Sequence, residues 1–178
     1  MSESTRPGYP GQPDRPWPPP GWKPRQDNRG FVKSEYERPA IRLLKRAGWE
    51  PGRSVGIADD LGALEMAGYE VFPGAIAFLR EYSGLFLAIS RPGEQDAVCF
   101  SVRLACRQTD RGRVEVHSEL AGVRMVPIGL VQVDQMTVLL GEDGQFYGGY
   151  VYTFGKLGTS LLEFIENTVQ GKGFLTEP

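Results

Sequence analysis

Apolar residues with helical spacing mark the first part of the chain that can fold. Ser34 and Glu37 have the spacing of a capping box, and the apolar residues after them recur at intervals of three and four until Gly48, a typical helix stop. The same periodicity predicts a second helix over residues 57–67 and a third over residues 73–82, where proline occupies the first turn. The pattern therefore predicts three helices ahead of any strand.

Short apolar runs separated by turn signals follow these helices and are typical of strands. The predicted strands cover residues 85–90, 98–104, 123–129, 137–140 and 145–154. Asp143 and Gly144 between two apolar runs form a strong hairpin signal. Inside the last predicted strand, Gly148 and Gly149 indicate a bulge or a close approach to the backbone.

A last helix is predicted over residues 160–170, because Ser160 and Glu163 have capping-box spacing ahead of an apolar stripe. Helices and strands thus occupy separate blocks along the chain, which favours an α+β fold. We expect N-terminal helices, a central and mostly antiparallel sheet of five or six strands, and a C-terminal helix.

Proline sets the N-terminal segment apart, since eight of the 14 prolines lie between Pro7 and Pro24. Such a composition favours solvated polyproline II over packing. We predict a disordered tail over residues 1–33, a folded domain over residues 34–173 and a short tail over residues 174–178. Trp17 and Trp22 leave open whether the N-terminal tail is a ligand for an SH3- or WW-like groove, a linker, or a segment translated from an early start codon.

Charge and apolar content narrow the functional classes. Residues up to Arg38 contain seven basic and five acidic side chains, and the remainder contains 13 basic and 17 acidic, so the folded part carries −4. An acidic domain argues against direct nucleic-acid binding, which needs clustered positive charge. No apolar run approaches the roughly 20 residues that span a bilayer. We expect a cytoplasmic protein without membrane contact.

Candidate catalytic residues are few. His117 is the only histidine, and it could pair with Cys99 and be oriented by Asp96. The residues around His117 are polar, so we expect an exposed histidine without a chemical role. With Cys106 as the only other cysteine, the thiols match no metal-binding spacing and are expected to be small buried apolar groups. The sequence thus predicts no catalytic residue, no metal and no cofactor.

Three stretches together form a recognisable pattern: LLKRAGWEPGR (43–53), FPGAIAFLREYSGL (72–85), and the series from VPIG (126–129) to GEDGQFYGGYVYTFGKLGTSLLEFI (141–165). Their order and spacing resemble the SUKH superfamily of bacterial immunity proteins, most closely its third subfamily, over roughly residues 36–173. The motif residues that carry the resemblance are Gly48, Trp49, Pro51, Gly52, Arg53, Phe78, Leu79, Gly84, Leu85, Pro127, Gly129 and Gly144.

The resemblance implies neutralisation of a cognate polymorphic toxin by direct stoichiometric binding, and no enzyme activity. Such toxins are often nucleases or nucleic-acid deaminases, and an acidic inhibitor would gain association rate toward a basic toxin. We therefore predict Asp134, Glu142 and Asp143 as toxin-binding residues, with ordinary solvated surface as the alternative. We expect a monomer. A non-catalytic regulatory or scaffolding adaptor of the same fold is the competing interpretation.

The motif around Trp49 has two interpretations, toxin contact or a structural role. Gly48 ends a helix, so Trp49 can be buried beneath that helix and Arg53 can bind carbonyls at its end. Contact residues should vary with the toxin, which makes shared motif residues poor candidates for specificity. We therefore expect the motif residues to be structural.

Overall fold

The computed structural model describes residues 38–131 and 135–175, so the proline-rich segment, the predicted capping box at Ser34 and Glu37, and Asp134 lie outside the described residues. The described part contains six helices and six strands in the order α1 (Pro39–Arg46), α2 (Ala58–Met66), α3 (Pro73–Tyr82), β1 (Phe86–Arg91), β2 (Glu94–Cys99), α4 (Val102–Gln108), α5 (Arg111–Ala121), β3 (Met125–Val131), β4 (Met136–Gly141), β5 (Phe146–Gly149), β6 (Phe154–Gly158) and α6 (Leu161–Val169).

The three predicted N-terminal helices are present. Pro39 and Pro73 occupy the first turns of α1 and α3, where a missing N–H is not needed for helix formation. The chain leaves α1 through Gly48, which has a φ of 94° and whose N–H bonds the carbonyl of Lys45. A left-handed residue after a helix favours glycine, and the predicted stop is confirmed.

The sheet is a simple meander, because its strand order is β1-β2-β3-β4-β5-β6 and every neighbouring pair is antiparallel. The predicted α+β fold is thereby confirmed, with six strands. The turn at Asp143 and Gly144 joins β4 to β5, and Gly144 has a φ of 78°. This is the hairpin that the two residues predicted.

The predicted strand over residues 98–104 is correct only at residues 98 and 99. Strand β2 ends at Cys99, and the hydroxyl of Ser101 accepts a hydrogen bond from the backbone N–H of Leu104 at 3.4 Å. Ser101 thus caps α4, in which Val102 and Ala105 are buried at helical spacing. The polar cap interrupts an apolar run that otherwise favours a strand.

Helix α5 was not predicted at all. Asp110 caps its N-terminus by accepting from the N–H of Arg113 at 3.0 Å, and Gly122 ends it with a φ of 67°. Its sequence is rich in charge and buries only Val114 and His117, so its apolar stripe is too narrow to show as a period. Helices α4 and α5 together form the connection from β2 to β3.

The predicted strand over residues 145–154 is two strands, β5 and β6, joined by a tight turn. The N–H of Tyr150 donates to the carbonyl of Thr153 at 2.7 Å, which closes the turn. The predicted close approach at the glycines before it is confirmed. A Cβ added at Gly148 would lie 2.6 Å from the Sδ of Met136, and one at Gly149 would lie 2.7 Å from Cε1 of His117.

The core lies between the sheet and the helices and is rich in aromatic rings. Phe78 of α3 packs edge-on against Phe100 and Phe146, with ring centroids 5.3 and 5.6 Å apart. Phe164 of α6 stacks on Phe146 at 5.5 Å. Helix α6 contacts both β6 and β1, the two ends of the meander, so the sheet curls around it. None of the described helices is both long and apolar enough to cross a membrane.

Candidate protein-binding surface

His117 is buried, with 6% of its surface exposed, so the expectation of an exposed histidine was wrong. It lies on the inner side of α5 and stacks on Phe154, with ring centroids 4.5 Å apart. Its Nδ1 atom is buried without a hydrogen-bond partner among residues 38–131 and 135–175. Burial, followed by the positive charge of Arg113, lowers the pKa of His117 and favours the neutral ring.

The thiol–imidazole arrangement considered for Cys99 is not supported by the surroundings of the two groups. Burial raises the pKa of the Cys99 thiol and lowers that of His117, which is the opposite of what a thiolate–imidazolium pair requires. Asp96 accepts from the N–H of Ala97 at 2.7 Å and from Nη2 of Arg91 at 3.4 Å. Within residues 38–131 and 135–175, no group of three or more metal-ligating side chains is positioned to hold a metal ion.

The predicted toxin-binding residue Glu142 is held in an ion pair. Both of its carboxylate oxygens accept from Arg124, at 2.6 and 2.9 Å, and Arg124 also donates to Glu70 at 2.8 Å. The hydrogen bonds from Arg124 hold the pKa of Glu142 below its usual range. A partner that approached Glu142 would have to compete with this internal cation.

The carboxylate of Asp143 is bound within its own turn. It accepts from the backbone and side-chain nitrogens of Gln145, at 3.0 and 2.9 Å, and from the hydroxyl of Tyr147 at 2.8 Å. Burial and the bond to Asp143 raise the pKa of Tyr147 to about 12, which keeps the phenol a donor. The turn is acidic in composition, but its carboxylates are engaged by the protein itself.

The motif around Trp49 contacts the C-terminal end of α3. Nε1 of Trp49 donates to Oε1 of Glu81 at 3.0 Å, and its ring stacks on Tyr82 at 6.3 Å. Arg53 donates to the carbonyls of Glu81 and Ser83, the latter at 2.8 Å. We expected Arg53 at the end of the helix that Gly48 closes, and this was wrong, because the carbonyls belong to α3.

The turn between Trp49 and Arg53 is formed by Pro51 and Gly52. The N–H of Arg53 bonds the carbonyl of Glu50 at 3.0 Å, and Gly52 has a φ of 83°, which fits proline and glycine at the two central positions. This turn aims the guanidinium at the α3 carbonyls.

The remaining motif residues lie in the core or at turns. Phe78, Leu79 and Leu85 are buried, and the N–H of Gly84 bonds the carbonyl of Phe100 at 2.8 Å. The register of β3 against β4 shifts between Pro127 and Gly129, which are two further motif residues. A side chain at Gly129 would collide with the backbone at Cys99. A bulge explains how proline is tolerated inside the sheet.

An exposed apolar surface lies elsewhere, where α5 meets the β5–β6 turn. The side chains of Val116, Leu120 and Val151 are more than half exposed, and Tyr152 is 98% exposed. We call these four residues the Tyr152 patch. Val116 and Leu120 are one helical turn apart and share a face of α5.

The residues beneath the Tyr152 patch are held by a hydrogen bond and by stacked rings. The hydrogen bond between Tyr150 and Thr153 closes the turn, and Phe154 at its base stacks on both His117 and Tyr147, the latter at 5.7 Å. The lack of a side chain at Gly149 lets the His117 ring lie against β5. The turn is therefore anchored to α5 from below.

Two grooves border this turn. The groove on the α5 side contains no Asp, Glu, Lys or Arg among the described residues, and its lining is formed by Val116, His117, Leu120, Val151, Tyr152, Thr153 and Phe154. The second groove shares the turn residues, reaches α5 only at Arg113, and adds Gln108, Gln135 and Thr137. The turn thus projects as a ridge with an uncharged flank and a flank that carries one cation.

The sequence reasoning missed this surface because it depends on two segments 31 or more residues apart along the chain. Residues 116–120 were assigned to no element, and residues 151–152 were placed inside a continuous strand. The available signals were the helix cap at Asp110, the stop at Gly122, and two consecutive large apolar residues that break the alternation of a half-buried strand.

Comparison with known proteins gives one informative match. A family model described as SUKH-3 immunity protein matches residues 36–171. No curated protein and no solved structure matches the chain significantly. The matched region contains every helix and strand described above. On the strength of that match, the chain belongs to the SUKH-3 immunity protein family.

Proposed function

We propose that this protein neutralises a cognate polymorphic toxin by binding the toxin domain directly, in a stoichiometric complex and without catalysis. The match of the immunity family over residues 36–171 carries the proposal. The buried His117, with its neutral ring favoured, and the raised thiol pKa of Cys99 agree with a role that depends on surface complementarity. In this proposal, binding takes place in the cytoplasm of the cell that is protected.

The toxin is proposed to act on nucleic acid, as a nuclease or a deaminase. Enzymes that hold a phosphate backbone present clustered cations to it. The chain carries a net charge of −2, and residues after Arg38 carry −4. Long-range attraction between opposite net charges would raise the association rate without requiring that any single carboxylate lie in the contact.

We propose a structural role for the motif residues. The contacts of Trp49 and Arg53 join the segment after α1 to the end of α3, and those of Gly84 join α3 to Phe100. Carbonyls at a helix end lack intrahelical partners, so a guanidinium that binds two of them stabilises the fold.

The function is tested by expressing this gene together with the toxin gene beside it. The C-terminal domain of the adjacent toxin is produced with and without the immunity protein, and cell survival is measured together with calorimetric binding of the purified proteins. We expect rescue and a 1:1 complex with a submicromolar Kd. Absence of both rescue and binding would refute the proposal.

The proline-rich segment supports one competing function, that of a scaffolding adaptor that is bound through this segment. Eight prolines between Pro7 and Pro24 match the composition of ligands for SH3- and WW-type grooves. Deletion of residues 1–28 separates the two functions. Full rescue by the truncated protein supports immunity, whereas loss of partner binding with an intact fold supports the adaptor.

A further inference from the structure

The Tyr152 patch has the properties of a docking surface for a protein. Resting on the proposed function, we propose that the toxin domain binds at this patch, and that Tyr152 is the anchor that enters an apolar cleft of the toxin. The acidic β4–β5 turn then lies outside the central contact.

The first argument is the concentration of exposed apolar side chains. Eight large hydrophobic residues are exposed in the described part of the chain, and four of them form this one patch. The other four are Met66, Phe86, Leu104 and Leu175, which lie on α2, at the start of β1, on α4 and after α6. Single exposed apolar residues are ordinary on a surface, but a contiguous group marks an interaction site.

The second argument is the size of the patch. With full side-chain areas of roughly 150–250 Å², the exposed fractions of the four residues amount to about 500 Å². A standard interface between two different proteins buries about 800 Å² on each partner, with an apolar centre and a polar rim. The patch fits such a centre. An obligate homodimer buries a larger and more apolar area, so a second copy of this chain is the poorer occupant.

The third argument is rigidity. The hydrogen bond from Tyr150 to Thr153 and the stack of Phe154 on His117 hold the turn in place before any partner arrives. Binding through a preformed ridge avoids the cost of ordering a loop, and a tyrosine ring has few torsions to immobilise. Tyrosine is also among the residues that most often dominate interface energies.

The chemistry of the two flanks defines the toxin face. The groove beside Val116 and Leu120 carries no formal charge on its described residues, so the toxin must offer an apolar surface there. On the other flank, Arg113 is paired with Asp110 at 3.6 Å, so a toxin carboxylate that approached this guanidinium would share it with an internal acid. Contact through an apolar centre predicts a dissociation rate that depends weakly on salt, whereas the association rate should fall as salt screens the net charges.

The test compares two patch variants with a matched control in the full-length protein. Tyr152→Ala and Leu120→Asp remove the anchor and its helical neighbour, and Met66→Ala removes an apolar side chain of similar exposure, 92%, on α2. We expect Tyr152→Ala to raise the Kd for the toxin domain about 30-fold and Leu120→Asp at least tenfold. The Kd of Met66→Ala should stay within about twofold, and circular dichroism should show all three folded.

Each outcome separates the inference from the proposed function. If the wild-type protein binds and rescues while both patch variants keep their Kd within about threefold, the docking surface is wrong and the function stands. If the wild-type protein neither binds nor rescues, the function fails and the docking inference fails with it. A wild-type dimer that Leu120→Asp converts to a monomer, with unchanged toxin affinity, would assign the patch to self-association and overturn the inference.

Discussion

The two turns at opposite ends of β5 differ in how their side chains are used. The β4–β5 turn carries Glu142 and Asp143, and both carboxylates are bound by groups of the protein. The β5–β6 turn presents Val151 and Tyr152, and their side chains are largely exposed. Sequence favours the first turn as a contact because it is charged. A carboxylate with internal partners must exchange those bonds to bind a ligand, whereas an exposed ring can be buried without that exchange.

A substitution beneath the β5–β6 turn should disrupt the packing that holds the turn in place. A Cβ at Gly149 would lie 2.7 Å from Cε1 and 2.9 Å from Nδ1 of His117, so Gly149→Ala should displace the ring and the Phe154 stack. We expect a loss of about 3 kcal/mol in the free energy of unfolding, near the upper range for overpacking, measured by chemical denaturation. Gly56→Ala, where nothing lies within 4 Å of the added Cβ, is the control and should change stability little.

We expect toxin binding at either turn to be independent of the motif at residues 48–53. Arg53→Ala removes the two bonds to the carbonyls of α3 and should lower the free energy of unfolding by about 2 kcal/mol. Toxin affinity, measured at a temperature where the variant is folded, should match the wild-type protein. A large loss of affinity in a fully folded Arg53→Ala protein would instead place the motif in the contact.

Acidification should weaken the support of the Tyr152 patch through His117. The pKa of His117 is lower in the folded protein than the unfolded value of about 6.5, so the unfolded chain binds the proton more readily. Stability is then full above about pH 6.5 and falls as the pH drops toward the folded pKa. Denaturation curves between about pH 5 and 7 measure this slope, and His117→Phe should flatten it. A slope equal in both proteins would contradict the assignment.

The smallest effect is expected at the turn that sequence favours. Glu142→Gln removes an exposed ion pair with Arg124, and exposed pairs contribute little to stability. The Kd for the toxin should change by less than about threefold at moderate salt. A tenfold loss that disappears at high salt would restore the acidic turn as the contact and reverse the comparison.

Much of the fold could be predicted because its signals are local. The helix over residues 73–82 matches α3 at both ends, since proline marks its start and its apolar positions follow a single period. The hairpin at Gly144 needed only the residues of its own turn. Where a cap decides the structure, as Ser101 does for α4, the apolar residues around it mislead, because valine and phenylalanine favour strands.

The site could not be predicted in the same way. The count of acids near Glu142 was correct, but the cation that binds it lies 18 residues away and also binds Glu70, 54 residues from that cation. The burial of His117 depends on glycine in a strand 32 residues later. Such properties depend on contacts that form only when the chain has folded. Composition therefore does not predict them.

Helix α6 contacts the first and the last strand of the meander. It therefore packs against both outer strands of the sheet, and exposed edges of such strands are the places where one chain can add to the sheet of another. A chain cut before Leu161 would lose the contacts of α6 with both outer strands and its stack on the ring of Phe146. We expect such a fragment to aggregate rather than to bind a partner.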